Sequence, residues 1–265
     1  MRAREFTLIT RSPLIPIEIH IVSSLAGKVV AITGGGTGIG AGIARGLAMA
    51  GCNVVIGGRR IEPLDALAKS IPSEKPVLTH PIDVAEPQSV TDFFSFVRNQ
   101  VGEVDILVNS AGINIQNRTM ATMVPEDWDR VMQINTSGAY RCILEVLPPM
   151  RERRDGIVIN ISSIAGKRAI ALGGVVYCAS KFAMTALGTA IANEVRHEGV
   201  RVTNVYPGEV NTPILDRRPV PVTQAHKDSI LQPDDIASLV VTICQLPPRA
   251  HVPEIVIKPT TQEWV

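Results

Sequence analysis

The sequence predicts one α/β domain built on a doubly wound, mostly seven-stranded parallel sheet with helices on both faces. Three observations predict it. Short β-branched runs alternate with helical stretches from Lys28 onward, a pattern that requires right-handed crossovers and a parallel sheet. The runs are nearly continuously apolar, as strands covered on both faces are. The first of them leads directly into TGGGTGIG, Thr33 to Gly40, eight residues with five glycines that a packed core cannot use.

In chain order, the strands read KVVAITG (28–34), NVVIGG (53–58), PVLTHPID (76–83), DILVNSAG (105–112), GIVINISS (156–163), VRVTNVYPG (200–208) and EIVIKP (254–259). Between them, GIGAGIARGLAMA offers small residues for close helix contact, and IEPLDALAKS has Pro63 in its first turn, where a missing N–H is harmless. EPQSVTDFFSFVRNQ forms the third helix. Further helices are expected from about 125 to 148, 176 to 197 and 233 to 245. Residues 1–24 stand apart. Arg11 and Glu18 interrupt any apolar stretch, so the segment is a poor secretory signal. Ile15, Ile17, Ile19 and Ile21 alternate with polar residues or proline, which reads either as a short added strand or as a disordered tail.

The 265 residues, 45% of them hydrophobic, suffice for a single core over 25–265. Lysine and arginine number 26 against 25 acids, a net charge of +1, so neither nucleic acid nor an anionic membrane is expected as a partner. Cys52, Cys142, Cys178 and Cys244 form no C-x-x-C pair, which argues against disulfides and zinc and for a reducing, cytoplasmic setting. No metal is expected. No apolar run approaches the ~20 residues of a membrane-spanning helix. The five histidines are scattered, and no G-x-S-x-G hydrolase elbow accompanies them.

A glycine-rich turn between the first strand and first helix presents helix-start N–H groups to a phosphate. Gly34 can adopt angles closed to other residues, Gly38 lets the backbone approach a pyrophosphate, and Gly40 lets the helix pack on the strand. Gly36, Gly38 and Ala41 also match the looser G-x-G-x-x-A. The position of the turn, after a strand and before a helix, is the stronger signal.

With these motifs in order, the chain resembles the short-chain dehydrogenase/reductase family, in its compact single-domain branch, over roughly Leu25 to Pro259. TGGGTGIG is followed by Asp83-Val84 after the third strand, N-S-A-G at Asn109 to Gly112, Asn135 in QINTSG, Ser163 in NISSIAG, Y-C-A-S-K at Tyr177 to Lys181, and P-G-E-V-N-T at Pro207 to Thr212. The resemblance implies a Rossmann-type fold and a carbonyl–alcohol oxidoreductase using a nicotinamide dinucleotide. It also implies a catalytic tetrad of Asn135, Ser163, Tyr177 and Lys181. The implied cofactor contacts are Thr33, Gly34, Gly36, Thr37, Gly38, Ile39 and Gly40 in the turn, Asp83 and Val84 at the adenine, and Asn109, Ala111 and Gly112. Tyr177, Lys181, Pro207, Gly208, Val210 and Thr212 complete them on the nicotinamide side. Subunit pairing through the helices from about 125 and 176 is implied, giving a homotetramer or homodimer. Asn135 is implied to hold a water that passes protons to Lys181. Ser110, where the family often has asparagine, is a mild departure.

The chemistry of the residues agrees. Tyr177 and Lys181 share one helix face, so a nearby ammonium is expected to lower the phenol pKa and let Tyr177 act as general acid or base. Ser163 ends a strand at the ligand edge and can hydrogen-bond the substrate oxygen, whereas alternation points Ser162 to the opposite face. Cys178 reads as packing. The second strand ends Gly57-Gly58 and is followed by Arg59 and Arg60, with no carboxylate to bind ribose hydroxyls. These arginines point to NADP(H), with NAD(H) the alternative; Thr37, where many NADP-preferring relatives carry a basic residue, argues the other way. Residues 213–232 are expected to form a substrate lid, in which Ile214, Leu215, Val220 and Val222 could cover an apolar carbonyl compound and Arg217, Arg218 and Lys227 could meet an acid, with solvated charge the favoured reading of those three. Retention of both Tyr177 and Lys181 disfavours a non-catalytic nucleotide sensor. Too little chain follows Gly208 for the substrate domain of a sugar-nucleotide epimerase.

Overall fold

The structure is a computed structural model that describes residues 24–263, so the alternating isoleucines lie outside the described residues. Seven parallel strands form the sheet: β1 (Val29–Thr33), β2 (Asn53–Gly58), β3 (Leu78–Pro81), β4 (Ile106–Asn109), β5 (Gly156–Ile161), β6 (Val200–Pro207) and β7 (Glu254–Ile257). Their order is β3-β2-β1-β4-β5-β6-β7. The order reverses between β1 and β4, and the crevice beyond their carboxyl ends is where such sheets bind ligands.

The reason the strands read as continuously apolar is visible in β1. Val30 and Ile32 join the core on one face, with Ile43, Leu47, Ile236 and Val240. Val29 and Ala31 join the core on the other, with Phe93, Phe94, Ile143 and Met150. Both faces are therefore dry, and helices cover each: α1 (Gly38–Met49), α2 (Ile61–Ser70), α3 (Pro87–Val101), α4 (Pro125–Met132), α5 (Gly138–Arg153), α6 (Val175–Glu194), α7 (Gln224–Ser229) and α8 (Pro233–Gln245). The small residues of α1 serve its contact with α8, where a Cβ on Gly42 would lie 2.7 Å from the Pro233 carbonyl oxygen.

Three features depart from the sequence reading. The helix expected over 125–148 is two helices joined by a π-helical turn, Gln133–Ser137. The second, α5, runs through Pro148 and Pro149 to Arg153 instead of stopping. Each interior proline removes a donor and crowds the preceding turn, but Met150 beyond them is fully buried against the sheet, and that burial holds the last turn in place. Finally, α6 has a mean hydropathy of 1.4 over an 18-residue window and is long enough to cross a membrane by length and composition, contrary to the expectation that no such stretch exists. Its alanines, valines and isoleucine raise the hydropathy. In the fold it covers the sheet with Val176, Cys178, Ser180, Lys181, Met184 and Gly188 buried.

Candidate active site

The turn after β1 is built by backbone demands. Gly34 has φ +67, and a Cβ there would sit 2.8 Å from the Ala111 backbone; Gly38 has φ +55 and faces Thr212 Cγ2 at 3.0 Å. Both values fall in the left-handed region that glycine tolerates. A Cβ on Gly40 would collide with the Gly34 carbonyl. This bare turn floors a cleft of about 410 Å3 that also meets Thr37, Gly38 and Ile39, then Ser163, Tyr177 and Lys181, and then Pro207, Gly208, Val210 and Thr212. A contiguous hollow of about 170 Å3 extends from the turn past Arg59 and Arg60 to Asp83 and Val84. Gly34, Thr37, Arg59, Arg60, Ala111 and Gly112 border both, so the two are one path from the end of β3 to the start of α6.

Thr33, Gly40 and Asn109 stand behind this path. Thr33 Oγ1 accepts from Ala111 N at 3.3 Å and orients the loop after β4. Asn109 does not border the cleft: its Nδ2 donates to Asn160 Oδ1 at 3.0 Å, and Asn160 Nδ2 donates to Asn204 Oδ1 at 3.1 Å. Its Nδ2 is spent on a buried rung across β4, β5 and β6, while its Oδ1 is buried with no partner among the described residues.

Ser163 caps the 3-10 turn Ile164–Gly166, its Oγ accepting from Ala165 N at 3.1 Å. It borders the cleft together with Tyr177, and its hydroxyl favours the ionised form of that phenol. Ser162 Oγ points away and donates to Lys181 O at 3.2 Å. Strand alternation thus separates the two serines as expected. Lys181 is 4% exposed, and its Nζ donates to Ile161 O at 2.8 Å, lying 5.7 Å from the Tyr177 ring centroid. Asn135, on the π-helical turn, accepts from Ile113 N at 2.8 Å and donates to Ile113 O and to Ser180 Oγ, each at 3.0 Å. Asn135 Oδ1 and Lys181 Nζ flank the space that a side chain on Gly112 would fill, 3.5 and 3.6 Å from that Cβ position.

The electrostatics correct one expectation. Burial raises the Tyr177 pKa above its ordinary value, against the opposing effects of the Ser163 hydroxyl and the Arg118 charge. Burial also lowers Lys181 to about 8. The cation expected to ionise the phenol is held on the β5 carbonyl, and desolvation of the phenol outweighs the remaining help. In this state Tyr177 is a protonated donor.

Three residues at the substrate end gave no signal in the sequence. Arg118, in the loop after β4, is 6% exposed and borders the cleft. Glu209 is bound by Arg218 at 3.0 Å and His226 at 2.6 Å. Gln262 Oε1 accepts from Glu209 N at 3.0 Å, so the chain beyond β7 returns to brace the 207–212 loop. The 213–232 segment is clipped at its base where Val210 bridges Leu231, and it contains α7, which the sequence did not suggest. Ile214 and Leu215 border the cleft, whereas Val220 is 75% exposed and does not cover it. Proline before and after Val220 holds that stretch outside the helix and away from the cleft wall. Burial pushes the Cys52, Cys142 and Cys244 thiols up to about 12, all four cysteines are free and buried, and no metal-ligand cluster exists among the described residues.

The comparisons with known proteins decide the family. Residues 28–220 match the family model described as short chain dehydrogenase. The chain belongs to the short-chain dehydrogenase/reductase family. It is 34% identical over 245 residues to farnesol dehydrogenase of Aedes aegypti, covering 90% of this chain and 98% of that one. Among solved structures, a metagenomic short-chain oxidoreductase in complex with NADP is 33% identical at a TM-score of 0.77, covering 91% of this chain and 100% of that one. The 3-ketoacyl-(acyl-carrier-protein) reductase of Brucella melitensis, complexed with NADH, is 27% identical at a TM-score of 0.81, covering 89% and 99%. This short-chain dehydrogenase/reductase is accordingly an NAD(P)-dependent oxidoreductase acting on a small molecule.

Proposed function

We propose that the chain interconverts a carbonyl and an alcohol in this cleft, with NADP(H) preferred over NAD(H) and Tyr177 as general acid/base. The observation that carries the reading is that one continuous path joins two unpartnered guanidiniums at one end to Tyr177, Ser163 and Lys181 at the other. Arg59 and Arg60 are exposed and make no ion pair or hydrogen bond among the described residues. The bare turn at Gly34 and Gly38 and the open space at Gly112 fit a dinucleotide, which when bound supplies or accepts the hydride.

Each residue then has a task. Tyr177 holds its proton at the phenol oxygen, gives it to the substrate oxygen in reduction and takes it back in oxidation. Ser163, which borders the cleft with Tyr177, orients that oxygen and stabilises its developing charge. Lys181, with its pKa near 8, exchanges a proton close to neutral pH and supplies positive charge beneath the phenol. Asn135 anchors Ile113 and so sets the loop that walls the site. The clipped 213–232 segment acts as the substrate lid, and residues 25–265 act as one catalytic domain. The free cysteines fit a reducing, cytoplasmic setting.

The test is a screen of the purified protein with NADPH against ketones, aldehydes, quinones, sugars and 3-oxoacyl thioesters, read by loss of nicotinamide absorbance. With the best substrate, Tyr177→Phe is expected to lose at least ~100-fold in kcat with cofactor affinity nearly unchanged. Near-normal turnover by that variant would remove Tyr177 from the mechanism.

A further inference from the structure

We infer that the substrate carries a carboxylate, received by Arg118 beside the reacting carbon; this rests on the reading of the cleft as a carbonyl–alcohol site. Arg118 is positioned from three loops at once. Its Nε donates to Ile115 O at 3.0 Å, Nη1 to Leu172 O at 2.7 Å and Nη2 to Arg217 O at 2.7 Å. A guanidinium has five N–H donors, so two remain unspent on a side chain that borders the cleft. Its charge acts on Tyr177, which places it at the catalytic end of the path and away from Arg59 and Arg60.

What makes Arg118 unusual is the lack of a counter-ion. Arginine is almost never this buried unless paired, and among the described residues no carboxylate pairs with Arg118. The one acid on that wall, Glu209, is engaged by Arg218 and His226. Those bonds outweigh the effect of its burial and hold its carboxyl below the ordinary value. Arg217, on the same wall, is exposed and has no ion pair among the described residues. Neutral donors could close three loop carbonyls without the cost of burying a charge. A fixed, pre-oriented fork with two free N–H groups matches a carboxylate in a way that a flexible lysine would not. The substrate class is therefore a hydroxy acid and its oxo acid, with apolar length accommodated by Ile214, Leu215 and Leu172.

The test is calorimetric titration of the protein saturated with NADP+, using short 2-, 3- and 4-hydroxy acids and the methyl ester of each. At least one acid is expected to bind roughly 10- to 150-fold more tightly than its ester, the range for a hydrogen bond to a charged group. Arg118→Gln should reduce that acid to the ester's affinity without changing NADP+ affinity, and Arg118→Lys should restore part of the preference. Esters binding as well as acids throughout the series, no acid binding at all, or an acid preference that survives Arg118→Gln would each overturn the inference. Because Arg118 ties three loops, each variant is first checked for native unfolding behaviour; if Arg118→Gln does not fold, Arg118→Lys, which keeps the charge and loses the planar fork, carries the test, and an undiminished acid preference in it would overturn the inference. Turnover of the same compounds is read separately by nicotinamide absorbance. An acid preference with no turnover of any compound sustains the carboxylate site while refuting the hydride-transfer reading.

Discussion

Cofactor choice offers the sharpest perturbation, because Gly58 and Arg59, the residues proposed to set it, stand clear of the rest of the fold. Replace Gly58 with aspartate and Arg59 with glutamine. A Cβ on Gly58 meets only the Leu64 side chain, at 3.6 Å, so the carboxylate fits without displacing backbone. Arg59 has no partner to lose among the described residues. Removing one charge-assisted bond to a 2′-phosphate from an exposed rim costs about 1.5 kcal/mol, the low end for bonds to charged groups. A carboxylate placed there would repel that phosphate by ~1–3 kcal/mol per unit charge, taking a separation of about 5 Å and an effective dielectric between 80 and 20. Together these give ~2.5–4.5 kcal/mol, roughly 10²- to 10³-fold in the ratio of kcat/KM for NADPH to that for NADH. The unaltered protein is expected to favour NADPH and the double variant NADH, with Tyr177 chemistry untouched. Steady-state kinetics with both cofactors at one low ionic strength is the assay. Equal specificity constants in the unaltered protein, or a ratio that the double variant leaves where it was, would refute the reasoning.

Two further predictions concern Lys181 and assembly. Burial lowers Lys181 from 10.5 to about 8, so between those values the unfolded chain binds the extra proton; charged Lys181 opposes folding below about pH 8, and the protein regains that stability as the pH rises toward 10.5. The stability of cofactor-free Lys181→Met relative to the unaltered protein, measured by urea unfolding, should therefore fall by ~1–3 kcal/mol from pH 7 to 10.5, and a flat difference would refute the burial argument. Tyr140 and Leu144 on α5 and Val175 and Phe182 on α6 are 47%, 51%, 38% and 43% exposed, an apolar surface that a homotetramer or homodimer would cover. Light scattering at micromolar concentration should show such an oligomer, with Leu144→Glu plus Phe182→Glu shifting it toward monomer; a monomeric unaltered protein would sink the expectation.

The fold was legible because local and global signals agreed. All seven strands lie where β-branched runs predicted them, and α2 and α8 match to the residue, the latter with a Gln232–Asp235 capping box behind Pro233. The strand ends were overrun for a physical reason: β4 stops at Asn109 because Ser110 to Gly112 turn out of the ladder to wall the cleft. The glycine turn, Tyr177, Lys181 and Ser163 were legible because each depends on spacing along one segment. Arg118 was not, because its burial comes from carbonyls at Ile115, Leu172 and Arg217, two of them far away in sequence. The direction of the Tyr177 shift failed similarly. Helical spacing brings Lys181 near the phenol, but only the position of the Ile161 carbonyl decides where the ammonium settles.

Asn109 shows most clearly where sequence reasoning stops. As part of N-S-A-G it reads as a cofactor contact, yet it is the first member of a buried rung continued by Asn160 and Asn204. That rung exists because Asn109 is registered with Asn160, and Asn160 with Asn204. In a hairpin, the turn sets register and the pairing could be counted from the loop. Here helices join the strands, and the crossover lengths say nothing about which residue faces which. The rung carries a functional consequence all the same. Asn109 Oδ1 already has no partner among the described residues, and leaving its buried Nδ2 without one as well would cost about 1–3 kcal/mol, so a one-residue slip of β4 against β5 would be penalised at Asn109 as well as in the apolar core. The ends of these two strands deliver the Ser110–Gly112 wall and Ser163 to the cleft, so asparagines that do not border the cleft fix the height at which the site's two sides meet.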